Sequence, residues 1–129
     1  MIKINSREIK FRALSIVQPH LWFKYWYYYA ERHYGNSTRH IIRTKDGNQY
    51  YVDINTLWQF TWLQDKNSVD IYEGDIIKVM ENTYMKVEYN TNKVAFVLSG
   101  GWYGENNYIT NFKMLEVIGN IYQNPELLK

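Results

Sequence analysis

The chain has 129 residues, 46% of them hydrophobic and 22% charged, the balance of one soluble globular domain rather than a disordered segment. It contains no cysteine, which excludes disulfides, thiolate metal sites and a cysteine nucleophile and suits a reducing compartment. Fifteen Lys and Arg against 13 Asp and Glu leave a formal charge of +2, a balance that permits nucleic-acid binding without demanding it. Aromatic residues reach 18%, with 13 Tyr, 5 Trp and 5 Phe, and this shifts the expectation toward β-structure.

From the N-terminus, Met1 to Glu8 carries charges with no apolar stretch behind them, so no secretory signal is expected and the cytoplasm is the default location. Residues Glu8 to Leu14 alternate, with Ile9, Phe11 and Ala13 on one side and Glu8, Lys10 and Arg12 on the other, the period of a half-buried strand. After Pro19, the run Leu21 to Tyr29 is aromatic on both parities. It predicts a strand covered on both faces, since helix formers are scarce there, although Pro19 would also suit a first helical turn. Lys24 interrupts this run, and its length is about half of what a membrane-spanning helix needs.

Gly35 to Thr38 is a turn signal. His40 to Thr44 and Gln49 to Asp53 are β-prone runs around Lys45-Asp46-Gly47-Asn48, a hairpin signature. Thr56 to Leu63 fits a strand or a crossover, and Gln64 to Ser68 a loop. Ile71 to Glu73 leads into a turn at Gly74-Asp75. Ile76 to Met80, Lys86 to Tyr89 and Val94 to Leu98 predict strands, the last two joined by a turn at Asn90 to Asn92. Ser99 to Asn107, centred on Trp102 and Tyr103, is the longest candidate loop. Met114 to Ile118 and Asn120 to Tyr122 predict two short strands around Gly119, and Asn124-Pro125 ends the pattern. The expected fold is therefore all-β with at most a minor helix. It is a small single-domain pseudobarrel of short antiparallel strands over 1–129, with an ordered core of about 7–124.

Three blocks, in order, resemble the YopX family of small phage and prophage proteins. The first is Arg7-Glu8-Ile9-Lys10-Phe11-Arg12. The second runs from Thr56 through Thr61, Leu63, Asp65-Lys66-Asn67 and Ile71-Tyr72-Glu73-Gly74-Asp75-Ile76. The third is Glu116 to Tyr122 followed by Asn124 to Leu128. The resemblance implies a β-rich pseudobarrel and a phage or prophage setting, and no established molecular activity. It marks Phe11, Asp65, Tyr72, Glu73, Gly74, Asp75, Gly119 and Asn120 as architectural. The family usually has glycine where this chain has Trp62 and Ser68, so the tight backbone expected at those two positions is put in question.

Five constellations could carry chemistry. Asp65, Asp70, Glu73 and Asp75 supply carboxylates for a divalent ion, but a Gly-Asp corner whose acids accept backbone N–H bonds explains them as well, and no EF-hand spacing exists. His20, His33 and His40 lack the spacing of a zinc site. Ser15, Ser37, Ser68 and Ser99 lie outside any nucleophile motif, and Gly100-Gly101 outside any phosphate loop. No catalytic residue, metal or cofactor is therefore expected. The fourth is the cationic set Lys10, Arg12, Lys24, Arg39, Arg43 and Lys45, interleaved with aromatics as in barrels that stack single-stranded bases. Arg32 belongs beside it, while Glu31, Asp46 and Asp53 interrupt it. The fifth is surplus aromatic surface, with Trp22, Trp26, Trp62, Trp102 and Tyr103 as candidate anchors for a protein partner or a second copy.

These readings converge on a non-catalytic accessory protein that binds a host factor or itself. The alternative is a nucleic-acid-binding barrel, and its mark would be cations gathered around exposed rings on one face.

Overall fold

In a computed structural model, residues 9–18, 20–25, 27–100, 107–109 and 112–128 are described. Their regular structure is all-β, apart from short 3-10 turns at Ile54–Thr56, Phe112–Met114 and Pro125–Leu128. The chain forms two compact units, one up to Gln59 and the other from Phe60 onward, each with its own core.

The first unit contains β1 (Phe11–Leu14), β2 (Trp22–Tyr25), β3 (Tyr27–Arg32), β4 (Thr38–Arg43) and β5 (Gln49–Tyr51). The aromatic run thus divides into two strands instead of one. β2 pairs antiparallel with β1, while β3 pairs with β4. Nor is the run covered on both faces, since Tyr27 is 57% exposed. The hairpin from β4 to β5 matches its sequence signal. Thr44 closes the turn by bonding Asn48, and the Asp46 carboxylate accepts from the Thr44 hydroxyl at 2.7 Å and the Asn48 amide at 3.0 Å. Ala13, Ile42 and Val52 form the core, with Phe23 and Leu57 packed against them.

β6 (Trp58–Gln64) crosses the boundary between the units. Trp58 and Gln59 pair with β1, whereas Phe60–Gln64 pairs with β7 (Asp70–Tyr72). In the second unit, β8 (Asp75–Met80), β9 (Thr83–Asn90) and β10 (Ala95–Ser99) form an antiparallel meander. It is extended by β11 (Asn107–Tyr108) beside β10 and β12 (Glu116–Asn120) beside β8. Ile71, Ile77, Met85, Val87, Leu98 and Leu115 fill its core.

Two sequence expectations change here. A single bulged strand replaces the pair expected around Gly119, because Gly119 sits inside the β12 ladder where the register with β8 shifts. Regular structure also continues beyond Asn124, whose side-chain oxygen accepts from the Asn120 N–H at 3.2 Å and whose carbonyl accepts from Leu127 at 3.1 Å. A Cβ at Gly119 would overlap the Asn124 side chain, so this approach requires glycine. The centre of the long loop expected between Ser99 and Asn107, residues 101–106, lies outside the described residues.

Trp62 and Ser68, where the resemblance implies glycine, have a left-handed backbone with φ of 68° and 61°. Trp62 lies where the register of β6 against β7 shifts between Phe60 and Gln64. His20, Asn82 and Val94 are also left-handed, and Val94 is both β-branched and 74% exposed. For L-residues this conformation costs about 1–2 kcal/mol each, and the greater unfolded-state freedom of glycine offsets part of that.

Val94→Gly and Ser68→Gly are therefore each expected to raise stability by about 0.5–1 kcal/mol. Gly119→Ala is expected to lower it by about 1–3 kcal/mol. Urea denaturation reads all three as shifted midpoints at unchanged slope.

Candidate interaction face

The acidic residues fall into structural roles. One Asp65 oxygen accepts from the N–H groups of Asn67 and Val69, at 2.8 and 3.0 Å. The other accepts from Val117 at 2.9 Å, 52 residues away along the chain. Burial pushes the Asp65 carboxyl up, but these three bonds together with the nearby Lys66 charge outweigh it, so its pKa lies below the usual value of 3.8. Asp75, fully buried, accepts from the Tyr72 N–H at 2.7 Å across the turn at Glu73 and Gly74. Gly74 has φ of 84° and donates to the Val87 carbonyl at 2.8 Å. Asp70 accepts from the Gln64 side chain at 3.0 Å. Among the described residues no group of three or more His, Asp or Glu converges as metal ligands would. Tyr72 packs on Phe60 with centroids 5.5 Å apart, and Asn120 organises the turn after β12 by accepting from Tyr122 and Gln123.

The candidate anchors and cations separate into different environments. Trp22 stacks on Trp58 at 5.3 Å, and Arg12, expected on a solvated strand face, is buried with its guanidinium 5.1 and 5.0 Å from those two rings. The reason lies in register. Arg12 stands directly opposite Trp58, and the two indoles cover its stem and head. Trp62 is half-buried and meets Phe96 edge-on at 6.4 Å. Trp26, Trp102 and Tyr103 lie outside the described residues. Lys10 is half-buried, and Lys24 and Lys45 are exposed. Phe11 meets Tyr28 at 6.4 Å, and the Tyr28 hydroxyl is 2.7 Å from His40 Nδ1.

Arg39 and Arg43 come together with tyrosines on one face of the β3-β4-β5 sheet. The register sets Tyr29 and Tyr51 on either side of Ile41, Tyr27 opposite Arg43, and Glu31 opposite Arg39. Residues directly opposite share a face, so Tyr27, Tyr29, Tyr51, Arg39 and Arg43 surround Ile41, which is only 1% exposed. The Arg43 guanidinium lies 5.9 Å from both the Tyr27 and Tyr29 rings, and that of Arg39 lies 5.1 Å from the Tyr51 ring. Arg39 also donates to the Tyr51 hydroxyl at 3.1 Å and to His33 Nε2. The sequence marked both arginines but missed these tyrosines. The signal was present, since Tyr27, Tyr29 and Tyr51 share a parity that the hairpin brings together.

The YopX protein family matches residues 10–129. The fold is similar to the crystal structure of protein EF1440 from Enterococcus faecalis, with a TM-score of 0.54 and 23% identity, covering 96% of this chain and 100% of that one. No curated protein matches the chain.

The Asp65 bonds make a pH prediction. A carboxyl whose pKa is lowered on folding contributes stability above its unfolded value, and that contribution is lost as pH falls through the lower folded value. The wild type is therefore expected to lose stability below about pH 4, and Asp65→Asn, which supplies one acceptor oxygen in place of two, to lose about 1–3 kcal/mol at neutral pH with a shallower acid dependence. Urea midpoints measured across the acid range check both.

Proposed function

The chain belongs to the YopX family, and from that starting point we propose that it is a non-catalytic binding protein whose working surface is the tyrosine–arginine face of β3-β4-β5 and whose ligand is single-stranded nucleic acid. The observation that carries this reading is the placing of two guanidinium groups over tyrosine rings on one sheet face, with Tyr27 and Tyr51 exposed. Such rings stack on bases of any sequence, while arginines follow the phosphates and add cation–π attraction. Among the described residues, Arg39 and Arg43 make their contacts with rings and a histidine and not with carboxylates, which leaves guanidinium donors available for phosphate oxygens. The non-catalytic part rests on the acids, since Asp65 and Asp75 are committed to backbone N–H groups. A phage or prophage origin and a cytoplasmic location belong to the proposal through the family resemblance.

A second reading has its own observation. Beside Tyr51 is a largely apolar crevice of about 190 Å³ lined by Val17, Phe23 and Tyr50, with Ile16 and Val17 63% and 71% exposed. That surface suits a polypeptide, either a host factor or a second copy of this chain.

Fluorescence anisotropy with random-sequence single- and double-stranded DNA and RNA at two salt concentrations tests the proposal. Binding is expected to favour single strands and to weaken as salt rises. Arg43→Ala is expected to reduce the salt slope by about 1, and Tyr51→Ala to cost about 1–3 kcal/mol of affinity. Absence of binding at about 100 μM protein in low salt overturns the nucleic-acid reading and leaves the polypeptide one.

A further inference from the structure

Where β3 turns into β4, an open depression of about 500 Å³ is lined by Glu31, Arg32, His33, Tyr34 and Arg39. Its floor is ordered by bonds internal to the turn. His33 N–H donates to the Ser37 carbonyl at 3.0 Å, and the Ser37 hydroxyl donates to the Tyr34 carbonyl at 2.9 Å. Arg39 is held at both guanidinium tips, one by the Tyr51 hydroxyl and the other by His33 Nε2. A guanidinium only donates, so His33 Nε2 is the acceptor of this bond. Two of the five guanidinium N–H groups are thereby engaged and the fork is fixed in place, with three donors remaining. Arg32 adds a second guanidinium to the same depression, against the single carboxylate of Glu31. At the rim, Tyr34 meets the His33 ring in a T-shaped contact at 4.8 Å and is still 88% exposed, so most of its ring is open to solvent.

We propose that this depression is a subsite for a terminal phosphomonoester of the nucleic-acid strand, with the phosphate on Arg39 and Arg32 and the terminal base stacked on Tyr34. The idea rests on the single-strand reading above and deepens it. A phosphomonoester carries nearly two negative charges at neutral pH and three acceptor oxygens. It therefore matches a pair of guanidinium groups better than a backbone diester with a single charge. Arg32 lines the depression beside Arg39 but makes none of the ring contacts that Arg39 and Arg43 make on the tyrosine face. Its loss is thus separable from the rest of the face.

The test compares short oligonucleotides of one sequence ending in 5′-hydroxyl, 5′-phosphate or 3′-phosphate, titrated against the wild type, Arg32→Gln and Tyr34→Ala. An oligonucleotide one residue longer, with hydroxyl ends, controls for the added charge. A phosphorylated end is expected to bind about tenfold tighter than the hydroxyl-ended strand, equivalent to about 1.4 kcal/mol. Arg32→Gln is expected to abolish that gain while leaving the hydroxyl-ended affinity unchanged. Equal affinity for all ends overturns the subsite and leaves the face intact. If no oligonucleotide binds, the face reading fails, and titration with inorganic phosphate followed by the amide resonances of His33 and Tyr34 decides the depression alone. Shifts that Arg32→Gln removes keep it as a phosphate site, and their absence removes it.

Discussion

The middle of β4 sets most of what the first unit presents on its tyrosine–arginine face. Ile41 and Ile42 are adjacent and both buried, so the strand is covered on both faces, and the alternation of side chains then leaves no choice for its neighbours. Ile42 joins Ala13 and Val52 in the core. Ile41 faces the other way and is enclosed by the tyrosines beside it and the arginines two residues before and after it. A short aliphatic floor ringed by long amphipathic side chains satisfies two demands at once. The stems and rings keep water from the isoleucine, while the guanidinium groups and hydroxyls stay in solvent. The face that covers Ile41 is also the face proposed to bind.

The second unit uses its polar residues differently. Asp65, Asp75 and Asn120 each accept backbone N–H groups at a corner, replacing ladder bonds that the chain loses on leaving a strand. Asp65 reaches furthest, tying the loop after β6 to β12. These groups are oriented by the fold, so the acidic cluster near Gly74, which resembles a site in the sequence, serves as a joint.

The sequence made the hairpin at Asp46-Gly47, the meander from β8 to β10 and the corner at Gly74 legible, because each rests on short-range turn chemistry and period-two patterning. It misled at the aromatic run, where every position but Lys24 is apolar enough for either face and β2 and β3 pair with different strands. It also misled at Arg12, whose charge suggested solvent while its neighbours in space, Trp22 and Trp58, belong to other strands. Of the candidate site, Arg39 and Arg43 were visible as basic residues near aromatics. Their tyrosine partners were not, since only the register selects Tyr27, Tyr29 and Tyr51 from the 13 tyrosines in the chain. Trp62 shows the converse. Its left-handed backbone, a conformation that favours glycine, is held by a tryptophan, so the residue type that would signal the turn in the sequence is absent.

That tolerance has an evolutionary side. Ser68 and Val94 hold conformations that glycine adopts without strain, so the chain carries sites at which one change is expected to add stability without touching the tyrosine–arginine face. Proteins diversify their surfaces within a stability threshold, since most new side chains at a binding face destabilise slightly. Unrelieved left-handed residues therefore act as a latent source of robustness. A lineage acquiring glycine at one of them could accept a costlier substitution among the tyrosines and arginines, and so remodel that face while keeping its fold.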